Sequence, residues 1–196
     1  MQVSIASTET RLAAEPSRMQ ALEENVRDIE KRLALVEGQV AEDRVSLVVF
    51  SGDLDRVLAA FIIATGAAAL GQQVSMFFTF WGLSVLKKDR RLSGKTLFQK
   101  MMTLMSPGSS RSLPVSKMNY FGVGAKMLRS MMKVKNVSSI EEMIALAREL
   151  GVRMIACEMS RDLMGIQESE LVAGLESGGV ASFLADSLKS RTSLFL

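Results

Sequence analysis

The sequence predicts an α/β domain with a largely parallel sheet covered on both faces, preceded by a long heptad helix. Three observations carry that expectation. Short β-branched apolar runs alternate with Ala/Leu-rich helical stretches, the pattern of strands buried beneath crossover helices. A narrow apolar seam at spacings of three and four runs through the region before residue 43. The chain has 196 residues, 48% hydrophobic and 23% charged, which is enough apolar material for one core and too much for a disordered chain.

In chain order, residues 1–16 read as a loose, disordered tail ending at Pro16. Residues 17–43 read as a helix whose a positions are Met19, Val26, Leu33 and Val40 and whose d positions are Leu22, Ile29 and Val36. Such a narrow seam is the coiled-coil form and favours self-association, with packing on the chain's own domain as the alternative. The domain proper is expected over 44–190. Its first buried strand is 45–50, followed by the turn Ser51-Gly52-Asp53 and a helix over 56–70 that stops at Gly71. A second strand over 74–80 ends at Trp81-Gly82. A polar, irregular excursion over 89–116 reads as a long surface loop. Helices follow over 117–135 and from Ser139, a third strand over 152–156 ends at Cys157, 171–175 reads as a fourth strand, and 180–187 as a final helix.

No charged residue occurs over 57–86, a run long enough for a membrane span. Gly71-Gln72-Gln73 interrupts it, and a helix-turn-strand unit of a buried sheet explains the break better.

The chain has no histidine and one cysteine. Ser-His-Asp and Cys-His catalysis, HExxH zinc sites and Cys₄ or Cys₂His₂ zinc sites are thereby excluded, as is a disulfide within one chain. A lone free thiol and an N-terminus without signal-peptide character fit a cytoplasmic protein. Neither a metal nor an organic cofactor is expected. Ser93-Gly94-Lys95-Thr96 ends like a phosphate-binding loop, but Asp89 stands where the first glycine is required and no strand precedes it. Gly122-Val123-Gly124 lacks the third glycine, since Met127 occupies that position. The fourteen methionines fall at helical spacing and suit packing better than Cu(I).

Charge is asymmetric. Residues 1–43 carry five basic and nine acidic side chains, whereas 87–135 carries twelve lysines and arginines against one acid, Asp89. This basic insertion reads either as a solvated face or as a footprint for an acidic partner or a membrane surface. Nucleic acid is not expected, because few aromatics accompany the charge.

Cys157 is the residue with chemical promise. In open parallel sheets, ligands bind at the carboxyl ends of strands. A thiol there faces the start of the next helix, whose free amides, with Arg161, favour the nucleophilic thiolate, while Glu158 opposes it. The alternative is a buried, inert cysteine.

The segments Val48-Val49-Phe50-Ser51-Gly52-Asp53-Leu54-Asp55, Met76-Phe77-Phe78-Thr79-Phe80-Trp81-Gly82-Leu83, Ala156-Cys157-Glu158-Met159-Ser160, Asp162-Leu163-Met164-Gly165 and Gly178-Gly179-Val180-Ala181-Ser182-Phe183-Leu184 resemble the DsrE/DsrF-like sulfur-relay proteins. The resemblance covers about 45–190. It is closest to the single-chain branch often labelled a peroxiredoxin family. It implies a flavodoxin-like three-layer fold, homo-oligomers, and a cysteine that carries sulfane sulfur as a persulfide, a role only Cys157 can take. Ser51, Gly52, Asp53, Trp81, Gly82, Met159, Arg161 and Asp162 are expected to rim the site. The expected function is an intracellular sulfur carrier or sulfurtransferase-like protein with persulfide donor and acceptor proteins as partners. The alternative is a non-catalytic oligomeric scaffold that docks an acidic partner or membrane surface through 87–135.

Overall fold

The computed structural model describes the backbone of residues 3–37 and, with side chains, residues 18–36 and 41–196. It divides into two units, 1–40 and 41–196. The first unit is a single helix, α1 (Val3–Glu37). It begins within the segment expected to be a loose tail. Val40, the last a position, and residues 1–2 lie outside the described residues.

The second unit holds a five-stranded, all-parallel sheet in the order β4-β3-β2-β1-β5. The strands are β1 (Glu42–Val49), β2 (Gln73–Phe78), β3 (Arg153–Cys157), β4 (Glu176–Gly178) and β5 (Ser190–Phe195). Between them run α2 (Leu54–Ala69), α3 (Leu97–Met105), α4 (Val123–Val134), α5 (Ile140–Glu149), α6 (Glu158–Met164) and α7 (Val180–Ser187). The chain winds outward from β1 to β4, and α7 then carries it back across the sheet to β5 beside β1.

Strand alternation divides the core into two layers. Val45, Leu47, Val49, Val74, Met76, Phe78, Met154 and Ala156 join one large cluster with α2 and α5. Their neighbours on the opposite pleat face α7, where Val48, Phe77, Ile155 and Cys157 form a small cluster closed by Phe183. The rest of that face is polar. Ser46 bonds Ser75 at 3.0 Å and Ser190 at 2.7 Å. Asp186 of α7 accepts from Arg44 of β1 and, at 2.9 Å, from Arg153 of β3. The layered α/β architecture is thus the one expected, with helices on both faces but a much thinner second layer.

The uncharged run 57–86 forms α2, β2 and a 3-10 turn, Phe80–Leu86, all within the domain. Among the described residues no helix is long and apolar enough to cross a membrane.

Three expectations need correction. The fourth strand is Glu176–Gly178, not 171–175. Leu171 instead makes an antiparallel bridge with Lys87, and the Val172 amide donates to the Leu86 carbonyl at 2.9 Å, so this run pairs outside the parallel sheet. β5 was not expected, because Ser190–Phe195 is polar and mostly exposed, without the apolar run of a buried strand. The excursion 89–116 is not all loop. It contains α3, opened by a capping box in which Thr96 accepts from the Gln99 amide and Gln99 from the Thr96 amide.

The basic insertion is also partly internal. Lys95 and Glu170 form an ion pair at 2.6 Å with side chains 1% and 0% exposed. Lys87 is buried beside them, and burial pushes its pKa down. Arg90 and Arg129 donate to backbone carbonyls of the insertion itself. Lys87 and Lys95 are thus buried and Arg129 half-buried, so three of the twelve basic side chains turn inward rather than forming a solvated footprint, while Arg90 remains exposed.

Candidate functional site

The carboxyl ends of β1, β2 and β3 lie side by side, about 4.8 Å apart per strand. β3 ends at Cys157, and α6 begins at the very next residue. Cys157 occupies the N-cap position with extended backbone, φ −66° and ψ 116°. No loop separates strand from helix, so the thiol sits directly beneath the first turn of α6.

Two hydroxyls complete its surroundings. Ser160, fully buried on the first turn of α6, is 2.8 Å from Thr79 Oγ1, at the residue after β2. Burial pushes the Cys157 thiol up, yet it is outweighed by the Ser160 hydroxyl and amide, the Thr79 hydroxyl and the Met159 amide. The thiol is held below its ordinary value. Hydrogen-bond donors near a thiol favour its anion. Since the Ser160 and Thr79 hydroxyls are bonded to each other, one proton lies between them and the other hydroxyl is free to turn toward the sulfur. Arg161 is not among them. Its guanidinium turns to Ser177, with a 3.2 Å hydrogen bond, and approaches Asp162 at 3.9 Å.

The expected rim residues fall into two groups. In the first, the Gly82 amide donates to the Phe50 carbonyl at 2.8 Å and the Thr79 amide to that of Val49 at 3.1 Å, pulling the turn after β2 onto the end of β1. A Cβ at Gly82 would lie 2.0 Å from the Val49 carbonyl oxygen, and one at Gly52 would lie 2.9 Å from that of Trp81. Both glycines therefore answer to close backbone approach rather than to substrate. Ser51 donates to Asp53 at 2.8 Å and accepts from the Asp53 amide at 3.0 Å. Trp81 is half exposed. This group follows the carboxyl ends of β1 and β2, the second and first strands over from β3. In the second group, Met159 and Asp162 are exposed on α6 beside Arg161.

Cys157 itself is only 4% exposed, under Phe77, Ile155 and Phe183. Two open grooves flank α6. One, about 440 Å³, is lined by Lys95, Gln99, Arg161, Asp162 and Glu168. The other, about 510 Å³, is lined by Lys88, Arg161, Glu168 and Ser177. Cys157 lines neither. α3 packs against α6, where the Gln99 side-chain amide donates to the Asp162 carbonyl at 3.2 Å. This leaves Phe98, Met101, Leu104 and Met105 of α3, and Met159 and Leu163 of α6, as exposed apolar side chains. Among the described residues no group of three or more Cys, Asp or Glu side chains is placed to hold a metal ion.

Sequence reasoning missed Thr79 and Ser160. Their signals were modest: a threonine at the first position past a buried strand, and a serine three residues after the cysteine, where a helix turns its amides and side chain back on the cap.

The model of the DsrE/DsrF/DrsH-like family matches residues 41–195. A Bacillus subtilis (strain 168) protein named "Uncharacterized protein YrkE" is 42% identical over 154 residues, covering 78% of this chain and 96% of its own. A protein of Allochromatium vinosum named "Sulfur carrier protein DsrE2" is 35% identical over 158 residues, covering 79% of this chain and 99% of its own. Among solved structures, the ychN protein from E. coli covers 78% of this chain and 98% of its own, at 12% identity and a TM-score of 0.45.

Proposed function

The chain belongs to the DsrE/DsrF/DrsH-like family, and from that premise we propose that it is a sulfur carrier that holds sulfane sulfur on Cys157 and hands it to an acceptor thiol. The observation that carries the reading is the thiol's position: the only cysteine caps a helix at a strand's carboxyl end, where Ser160, Thr79 and the Met159 amide favour its thiolate. A relative named as a sulfur carrier points the same way.

The chemistry needs no cofactor. The Cys157 thiolate attacks the outer sulfur of a donor persulfide, R–S–SH. The donor S–S bond breaks, R–S⁻ leaves, and Cys157–S–SH forms. An acceptor thiolate then attacks the outer sulfur of Cys157–S–SH, and the Cys157 thiolate is the leaving group. The sulfur atom moves without net oxidation in either step. The donors from Ser160, Thr79 and Met159 serve twice, favouring the attacking thiolate in loading and the leaving thiolate in discharge.

Cys157 is covered in the resting chain, so loading requires Phe183 or the first turn of α6 to move aside. Donor and acceptor proteins dock on the exposed apolar side chains of α3 and α6, whose flank carries Lys88, Lys100 and Arg161. The rival reading, a scaffold with a silent thiol, draws on the same burial of Cys157. Intact mass after incubation with a persulfide donor separates them. The carrier gains about 32 Da, one sulfur atom, and Cys157→Ser gains none. An unchanged mass for the wild-type chain with every donor tried favours the scaffold.

A further inference from the structure

We infer that α1 pairs with the α1 of a second copy of this chain, parallel and in register. The helix is 35 residues long. Its described seam, Met19, Leu22, Val26, Ile29, Leu33 and Val36, is between 51% and 61% exposed at every position. The family match begins only at residue 41, so the seam is no part of the sulfur-carrying fold.

The flanking charges identify the occupant and its direction. With Met19, Val26 and Leu33 at a, the e positions are Glu23, Glu30 and Glu37 and the g positions are Arg18, Asn25 and Arg32. In a parallel coiled coil each g residue meets the e residue five places later on its partner. Arg18 then faces the partner copy's Glu23, Asn25 faces its Glu30, and Arg32 faces its Glu37. In an antiparallel pair, g meets g and e meets e, which sets arginine against arginine and glutamate against glutamate. Like charges at those positions oppose pairing, so only the parallel arrangement is free of repulsion. The one ion pair drawn on the described face, Arg32 with Asp28 at 3.9 Å, is solvated on both sides and leaves Arg32 available.

The test uses full-length chains carrying Cys157→Ser, so that an introduced thiol is the only one. Met19→Cys and Val36→Cys are made separately. They lie 17 residues apart, about 26 Å along a helix. Under mild oxidation, parallel pairing gives each variant a disulfide-linked dimer with itself. A dimer only when the two variants are mixed means antiparallel pairing and overturns the inference, as does no dimer at all. In the Met19→Cys chain, Glu23→Lys with Glu30→Lys lowers the dimer yield several-fold. Adding Arg18→Glu raises it again, because opposite charges once more meet between positions 18 and 23 across the parallel pair. Failure of that restoration also overturns the inference.

Discussion

Replacing Glu170 with glutamine removes one charge from the most deeply buried ion pair among the described residues. Glu170 accepts from Lys95 at 2.6 Å, from the Gln167 amide at 3.1 Å and, weakly, from the Arg91 amide at 3.4 Å. Lys95 also donates to Thr103 of α3 at 3.1 Å. Both charged side chains are essentially unexposed, so water does not screen the pair and no discount for solvation applies. Glu170→Gln keeps the shape but leaves Lys95, with Lys87 beside it, buried without a counter-charge. Removing one partner of a buried pair costs about 3–5 kcal/mol. That is a large part of the ~5–15 kcal/mol that holds a domain folded. Lys95→Met costs a similar amount, because it strands the carboxylate. The double variant Lys95→Met/Glu170→Leu recovers part of the loss, since replacing a buried pair with apolar side chains of similar volume is close to neutral, while Lys87 still lacks the Glu170 charge. Urea unfolding followed by circular dichroism reads all four proteins. Single-variant losses below about 1 kcal/mol would match an exposed pair and refute the reasoning. A double variant as damaged as the sum of the singles would do the same.

Other perturbations address the site. The pH profile of Cys157 alkylation by iodoacetamide has its midpoint below the ~8.5 of a free thiol. Ser160→Ala and Thr79→Val move it upward, and Arg161→Ala leaves it in place; the reverse pattern would show that charge, not the hydroxyls, sets the thiol. A thiol depressed by folding adds stability that is fully present above its unfolded pKa and lost as pH falls through the folded one. Wild type should therefore gain stability over Cys157→Ser as pH rises toward ~8.5, and a difference independent of pH would contradict the assignment. Phe183→Ala uncovers the thiol and speeds alkylation at fixed pH, whereas an unchanged rate would place the barrier elsewhere. Gly82→Ala forces a Cβ against the Val49 carbonyl and destabilises by about 3 kcal/mol or more in a urea titration. A loss under about 1 kcal/mol would mean that the two strand ends part easily.

Much of this was legible from residue order. The alternation that puts Val45, Leu47 and Val49 on one face and Val48 on the other is written in β1, and Ser139 with Glu142 announces the start of α5. Cys157 at a strand end was legible because a β-branched run meets a capping pattern there. What escaped depends on contacts distant in sequence. β5 is mostly exposed and polar, and it becomes a strand only because β1 offers it an edge, with Ser46 bonding Ser190 across 144 positions. Lys87 and Lys95 read as surface charge until Glu170, 75 and more residues later, is seen to lie against them. Thr79 and Ser160 are 81 residues apart, and nothing local to either marks them as partners of one thiol.

The most direct test of sulfur carriage follows the atom through both halves of the transfer. The chain is loaded with a persulfide donor, freed of excess donor and mapped by peptide mass spectrometry, then mixed with a thiol acceptor and weighed again. The account predicts about 32 Da on the peptide containing Cys157, lost on addition of acceptor, with one sulfane sulfur appearing on the acceptor per chain discharged. A loaded chain that keeps its sulfur, or sulfur that leaves equally from a Cys157→Ser chain, would contradict it.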